Sequence, residues 1–186
     1  MNFFNKNDLL SVGRKEVNNQ IYSENSSSIL KRRYINFQSS KTYDIFLSHS
    51  FQDADLILGF TKELEKRGYS VYVDWIEDGQ LDRSNVNTAT ANQLKFRMKH
   101  CKCLLYISTD NSSFSKWMPW ELGYFDGMKG KIAVVPVVDS DTFKGPYKGQ
   151  EYLGLYSYIT YAEAIYVNHL DGSRNVFFEW IRSTRR

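Results

Sequence analysis

The fold is indicated first by Tyr43-Asp44-Ile45-Phe46-Leu47-Ser48, a short apolar run that ends in polar residues. Such a run is typical of a buried strand in a parallel sheet. A helix is predicted next, over residues 53–67, because apolar side chains recur on one helical face and Gly68 follows them. Strand and helix signals then alternate along the chain. Further strands are predicted over residues 69–75, 102–108, 131–138 and 164–168, and helices over residues 86–100, 117–128 and 174–183.

This alternation predicts βαβ units with right-handed crossovers. The expected fold is therefore α/β, with a doubly wound, flavodoxin-like parallel sheet of about five strands. Ligands of such sheets bind outside the carboxyl ends of the strands. The candidate site accordingly lies where the predicted strands end, at Ser48-His49, Asp74-Trp75, Ser108 and Asp139.

Residues 1–41 differ in composition from the rest, because they mix Asn, Ser and charged residues with few apolar positions. We expect a polar N-terminal extension or linker over residues 1–41, acting as a tether, and one domain over residues 42–186. A short helix near residues 8–19 is the structured alternative. The extension carries a net charge of +4 and the domain a net charge of −1. The domain therefore has no basic face suited to DNA, and the cluster Lys31-Arg32-Arg33 is expected to be solvated.

The two cysteines, Cys101 and Cys103, are one residue apart, so they are expected on one face of a strand without a disulfide. No further ligands complete a zinc site, and no metal is expected. The N-terminus lacks the apolar core of a signal peptide, and no apolar run is long enough to span a membrane. Buried thiols fit a reducing compartment, so we expect a cytoplasmic protein without membrane contacts.

The segment Trp117-Met118-Pro119-Trp120-Glu121-Leu122-Gly123 carries the chemistry. Pro119 must lie in or near the first turn of its helix, which places Glu121 near the helix N-terminus, where the helix dipole favours a carboxylate. Trp117 and Glu121 are four residues apart and share a helical face. Together they form a platform for a cationic ring and its sugar. The alternative, that the tryptophans are core residues and Glu121 a solvated acid, stays open on spacing alone.

The ordered set of motifs resembles a TIR domain. It comprises Tyr43-Asp44-Ile45-Phe46-Leu47-Ser48-His49-Ser50, Gly68-Tyr69-Ser70-Val71-Tyr72-Val73-Asp74-Trp75, Tyr106-Ile107-Ser108 and Trp117-x-x-x-Glu121-Leu122. The segment Gly149-Gln150-Glu151-Tyr152-Leu153-Gly154-Leu155-Tyr156 is similar to bacterial stand-alone TIR proteins, including the TIR component of Thoeris anti-phage defence.

The resemblance implies cleavage of the bond between nicotinamide and ribose in NAD, with Glu121 at the position of the family's essential glutamate. NAD would be a substrate, and no cofactor is expected. Nicotinamide departs as a neutral molecule, so one carboxylate suffices to stabilise the oxocarbenium-like charge. By matching position, the substrate-binding residues would be Phe46, Ser48, His49, Asp74, Trp75, Ser108 and Trp117, with Trp117 stacking on the substrate. Residues 76–82 match the family's mobile loop, whereas residues 82–90 match no family pattern.

Two classes of function follow from the resemblance. In the first, the protein converts NAD into a linear or cyclic ADP-ribose derivative that a separate effector protein senses during phage infection, or it depletes NAD as a toxin. In the second, it is a non-catalytic adaptor that self-associates, with Glu121 as a helix-capping residue. The sequence leaves open the linkage in the product, the phage-derived trigger and the oligomeric state. No Gly-x-Gly-x-x-Gly or Walker loop is present, which argues against a dehydrogenase or an NTPase.

Overall fold

The computed structural model describes residues 2–19, 24–35, 40–74, 88–139 and 151–183. In chain order, its helices and strands are β1 (Phe4–Asn5), α1 (Lys6–Asn18), α2 (Ser26–Ile35), β2 (Tyr43–Ser48), α3 (Ala54–Lys66), β3 (Val71–Val73), α4 (Thr88–Lys99), β4 (Cys101–Ser108), α5 (Trp117–Lys129), β5 (Ile132–Val138), β6 (Ser157–Tyr161), β7 (Ile165–Asn168), β8 (Arg174–Val176) and α6 (Phe177–Arg182). Short 3-10 helices cover Phe51–Asp53, Asp110–Phe114 and Glu151–Leu155.

The strands form one mostly parallel sheet in the order β3-β2-β4-β5-β6-β7-β8, and β1 pairs with the carboxyl end of β5. The α/β fold is confirmed, but the described residues form a sheet of eight strands where about five were predicted. The predicted strand over residues 164–168 exists as β7, yet it runs antiparallel to β6, which separates it from β5. Residues 174–176 form β8, so the closing helix begins only at Phe177. The three strands that were not predicted are β1, β6 and β8, which are short and lack the continuous apolar signal of a central strand.

Helices cover both faces of the sheet. Neighbouring residues of each strand point to opposite faces, so each strand contributes to two apolar clusters. Ile45 and Leu47 pack into a cluster with α1, α2, α3 and α6, while Phe46 packs into a second cluster with α4 and α5. Cys103 belongs to the first cluster and Cys101 to the second, so the prediction that both share a face was wrong. Cys101 is the first residue of β4, and its thiol bonds back to Arg97 of the preceding helix.

The N-terminal segment is packed against the domain, which corrects the expectation of a tether. Phe4 pairs with Val137 of β5, and its ring stacks on Tyr161 with a centroid distance of 4.9 Å. Helices α1 and α3 cross at two glycines: a Cβ on Gly13 would lie 2.0 Å from a backbone oxygen of α3, and one on Gly59 would lie 1.9 Å from a backbone oxygen of α1. A few well-placed apolar and small residues therefore dock this segment, although its average composition is polar.

The basic cluster in α2 is held by ion pairs. Arg32 contacts Glu24 at 3.0 Å, and the two terminal nitrogens of Arg33 contact Glu65 of α3 at 2.5 and 3.1 Å. The pair between Arg33 and Glu65 attaches α2 to α3. No helix among the described residues is both long and apolar enough to cross a bilayer.

Candidate active site

The carboxyl edge of the sheet gathers polar side chains on the face that α5 covers. The strand register places Phe46 beside Tyr72 and Leu104, and Ser48 beside Tyr106. Asp74 and Ser108 each follow their neighbours by two residues, so they share this face with Ser48. The predicted meeting of strand-end residues is therefore present for Ser48, Asp74 and Ser108. Trp75 and the loop over residues 76–82 lie outside the described residues.

Glu121 projects from α5 onto this edge and is only 4% exposed. The Ser48 hydroxyl donates a hydrogen bond of 2.5 Å to Glu121 Oε2 across 73 residues of sequence. A hydroxyl that donates to a carboxylate forms a short, charge-assisted bond. This contact holds the Glu121 carboxylate at the end of β2, where a ligand of the sheet would bind.

The sequence-based reason for the charge on Glu121 is corrected by the helix register. Pro119 is the third residue of α5 and lies in its first turn, as predicted, because its missing N–H has no intrahelical partner there. Glu121 is the fifth residue, and the effect of the helix dipole falls off within the first turn. The hydrogen bond from Ser48 therefore favours the carboxylate, whereas the helix dipole contributes little at this position.

Trp117 is both a core residue and a residue that lines a pocket, the two alternatives that the spacing left open. It is 8% exposed, belongs to the core cluster under α5 and meets Trp120 edge to face, with ring centroids 5.4 Å apart. It also lines a pocket of about 260 Å³. The other residues around this pocket come from the loops after β2 and β4 and from the start of α5: Ser50, Phe51, Gln52, Phe114, Ser115 and Lys116.

A second pocket, of about 460 Å³, opens beside the first turn of α5. We call it the Glu151 pocket. It is lined by Tyr106 of β4, Pro119 of α5 and residues of two 3-10 helices, namely Ser112, Ser113, Glu151, Tyr152 and Leu153. Both pockets therefore border the turn of α5 that precedes Glu121.

The remaining predicted residues occupy supporting positions. His49 is 5% exposed, and its Nδ1 lies 2.9 Å from the Leu47 carbonyl oxygen. Asp74 accepts a long hydrogen bond of 3.5 Å from the Tyr72 hydroxyl. Phe46 is fully buried and packs against the Tyr72 ring, so it forms the floor beneath the site and has no exposed surface for the predicted substrate contact. Ser108 is half-buried at the end of β4.

Asp53 is a site residue that sequence reasoning missed. Its buried carboxylate accepts hydrogen bonds of 2.6 Å from Thr109 Oγ1 and from Asn111 Nδ2. These bonds tie the loop after β2 to the loop after β4, and both loops supply walls of the pockets. An acidic residue just before a helix resembles an ordinary N-cap, so the sequence carried no signal of this longer-range role.

The cysteines are buried thiols. Both are free, and burial raises the pKa of Cys101 to about 12 and that of Cys103 well above its usual value. They stay protonated near neutral pH, so neither is a nucleophile or a metal ligand in this state. Within the part of the chain that the structure describes, no group of three His, Cys, Asp or Glu side chains is arranged to hold a metal ion.

Comparison with known proteins gives two kinds of match. Residues 45–167 match the family described as TIR domain. A Bacillus cereus protein named "Probable 3′ cyclic ADP-D-ribose synthase ThsB′" is 52% identical over 162 residues, an alignment that covers 86% of this chain and 83% of that protein. A Cytobacillus dafuensis protein named "Putative cyclic ADP-D-ribose synthase TIR2" is 39% identical over 90 residues, covering 48% of this chain and 24% of that protein.

Proposed function

The chain belongs to the TIR domain family, and we propose that it cleaves the nicotinamide–ribose bond of NAD and closes the ADP-ribosyl group into a cyclic ADP-ribose. The observation that carries the proposal is the buried Glu121 carboxylate, bonded to Ser48 at 2.5 Å at the ligand-binding edge of the sheet. The names of both relatives support a cyclic product, since each is called a cyclic ADP-D-ribose synthase.

The Glu121 carboxylate faces the charge that develops when the glycosidic bond breaks. Nicotinamide carries a positive charge in NAD and leaves as a neutral molecule with the bonding electron pair, so no acid needs to protonate it. The ribose carbon becomes positively charged in the transition state, and a fixed carboxylate in a water-poor site stabilises that charge. The Ser48 hydroxyl keeps the carboxylate in place, so little reorganisation is needed at the moment of reaction.

The residues around Glu121 bind and orient the substrate. Trp117, one helical turn before Glu121, offers an aromatic surface toward the smaller pocket and stacks on the substrate. Asp74 and Ser108 supply hydrogen-bonding groups for ribose hydroxyls at the ends of β3 and β4. His49 lines the loop after β2. NAD is a substrate in this scheme, and the reaction uses no cofactor.

The adaptor alternative is less well supported. A helix-capping residue bonds to free N–H groups of the first turn. Glu121 instead lies in the second turn and bonds to Ser48 of β2. A buried carboxylate is unfavourable unless it is compensated, and such groups concentrate at functional sites.

The cyclic product acts as a messenger in anti-phage defence. A separate effector protein would sense it, a phage-derived trigger would start its synthesis, and self-association of the TIR domain would complete the active state. The reaction takes place in the cytoplasm, where NAD is available. The alternative of a toxin that only depletes NAD predicts linear ADP-ribose as the main product.

The test is incubation of the purified protein with NAD, alone and with an extract of phage-infected cells. Products are separated by chromatography beside standards of nicotinamide, linear ADP-ribose and cyclic ADP-ribose isomers. We expect nicotinamide and a cyclic isomer in equal amounts. Linear ADP-ribose alone would favour the toxin. No nicotinamide under either condition would refute NAD cleavage and favour the adaptor.

A further inference from the structure

The Glu151 pocket has the chemistry of a sugar-binding site. Its volume is about 460 Å³, and its lining residues include four hydroxyl groups and one carboxylate: those of Tyr106, Ser112, Ser113, Tyr152 and Glu151. Hydroxyls and a carboxylate bind the neighbouring hydroxyls of a ribose, and aromatic rings pack against its C–H face. Glu151 is exposed at the edge of the pocket, so its carboxylate can reach a ligand there.

Glu151 has an unusual backbone conformation. Its φ angle is +43°, and it is the one residue other than glycine with positive φ among the described residues. Such conformations are unfavourable for a side-chain-bearing residue, and they concentrate at functional sites, where the surrounding structure imposes them. A glycine would relieve this strain, yet the chain carries a glutamate here.

The segment that bears Glu151 is anchored next to α5. Leu153 is 3% exposed and packs into the same core cluster as Trp117. The Tyr156 hydroxyl donates a hydrogen bond of 3.0 Å to Asp126 of α5. Burial, followed by this bond, raises the pKa of Tyr156 to about 12, so the phenol remains a donor at neutral pH. Glu151 is therefore held at the pocket by contacts on its C-terminal side.

The Glu151 pocket adjoins the catalytic carboxylate. Tyr106 lines the pocket and pairs with Ser48 on the neighbouring strand, about 4.8 Å away. Ser48 in turn bonds to Glu121. A ribose in the pocket would thus lie beside the sugar whose bond to nicotinamide is cleaved.

We propose that the Glu151 pocket binds the adenosine ribose of NAD and that Glu151 accepts the proton of the ribose hydroxyl that closes the ring. The inference rests on the proposed NAD-cleaving function. Nicotinamide leaves with the electron pair of the C–N bond, and the hydroxyl oxygen then forms a C–O bond to the same ribose carbon. The hydroxyl proton passes to the Glu151 carboxylate and from there to water. In the overall reaction, NAD is converted into cyclic ADP-ribose, nicotinamide and one proton.

Two roles are thereby divided between two carboxylates. Glu121 governs cleavage of the glycosidic bond, and Glu151 governs which oxygen attacks afterwards. Without the Glu151 carboxylate, the adenosine ribose is a weaker nucleophile and water competes for the ribosyl carbon. A positioned general base contributes on the order of 100- to 10,000-fold to the step that it assists.

The experiment compares wild type, Glu151→Gln and Glu151→Gly with NAD as substrate, measuring nicotinamide release and the ratio of cyclic to linear ADP-ribose. We expect the ratio to fall by about tenfold or more in both variants, while nicotinamide release stays within about threefold of wild type. Glu151→Gly removes the carboxylate at a positive φ that glycine prefers, so it should fold at least as stably as wild type. Glu163→Gln, which changes an exposed glutamate in the turn between β6 and β7, is the charge-matched control and should leave the ratio unchanged.

Each outcome decides between alternatives. Normal nicotinamide release with an unchanged product ratio in both variants would overturn the role of Glu151 and leave NAD cleavage intact. An equal fall in nicotinamide release and cyclic product would also overturn it, because Glu151 would then act in cleavage. Wild-type protein that releases no nicotinamide would instead refute the proposed function itself, and this inference with it.

Discussion

Replacing Ser48 with alanine removes the hydroxyl that donates a hydrogen bond to Glu121, the residue proposed to be catalytic. Ser48 is 1% exposed and Glu121 is 4% exposed, so water does not readily replace the lost hydroxyl. A hydrogen bond to a charged group contributes about 1.5–3 kcal/mol. If that whole contribution stabilises the transition state, the rate falls by about 10- to 150-fold, since each 1.36 kcal/mol corresponds to a factor of ten. We expect a loss of this size in kcat for Ser48→Ala.

The assay is the initial rate of nicotinamide release over a range of NAD concentrations. The change should appear in kcat more than in KM, because the carboxylate acts on charge that develops only in the transition state. Ser28→Ala, an exposed serine of α2, is the matched control and should retain wild-type rates. Urea unfolding of both variants separates loss of folded protein from loss of chemistry. A folded Ser48→Ala protein with kcat within about twofold of wild type would refute this reasoning.

Two further predictions concern stability. Gly59→Ala places a Cβ 1.9 Å from a backbone oxygen of α1 and should destabilise the protein by about 1–3 kcal/mol in urea unfolding. The control is Gly127→Ala on α5, whose Cβ meets nothing within 4 Å and which should be neutral or stabilising by up to about 1 kcal/mol. Equal effects of the two substitutions would show that α1 does not dock on α3. Burial raises the pKa of Asp44, but hydrogen bonds from Lys102 and Ser70 outweigh it and leave the pKa below its usual value. The ionised form therefore contributes stability above the unfolded-state pKa of about 3.9, which is lost as the pH falls through the lower folded-state value. Asp44→Asn should lower the free energy of unfolding by about 1 kcal/mol at neutral pH, with a difference from wild type that shrinks below about pH 4, and a difference that does not change with pH would contradict the assignment.

The central part of the fold was predictable from sequence because its strands carry a strong signal. β2, β4 and β5 are short, largely buried apolar runs, and α3, the helix after β2, carries a clear apolar stripe. The short helix near residues 8–19, given as an alternative, is present as α1. Its docking was not predictable, because it depends on Gly13, on Gly59 of α3 and on a few apolar residues within a polar context. β6 and β8 were missed for a similar reason, since they are short and partly exposed.

The sequence predicted which strand ends and which glutamate form the candidate site, but it did not predict the hydrogen bonds between their side chains. Topology alone places the ends of β2, β3 and β4 together, and the resemblance to TIR domains points to Glu121. The bond between Ser48 and Glu121 joins residues 73 positions apart, and no local pattern signals such a contact. The same holds for Asp53, whose partners lie in the loop after β4, and for Glu151, whose positive φ follows from its surroundings.

The most direct test of NAD cleavage by Glu121 is nicotinamide release by wild type and by Glu121→Gln at equal concentration. Glutamine preserves the shape of the side chain and removes its charge. We predict a loss of about 100- to 1,000-fold in the rate of release. We also predict unfolding midpoints that are unchanged or raised, since a buried charge is removed. A folded Glu121→Gln protein that releases nicotinamide at the wild-type rate would contradict the account.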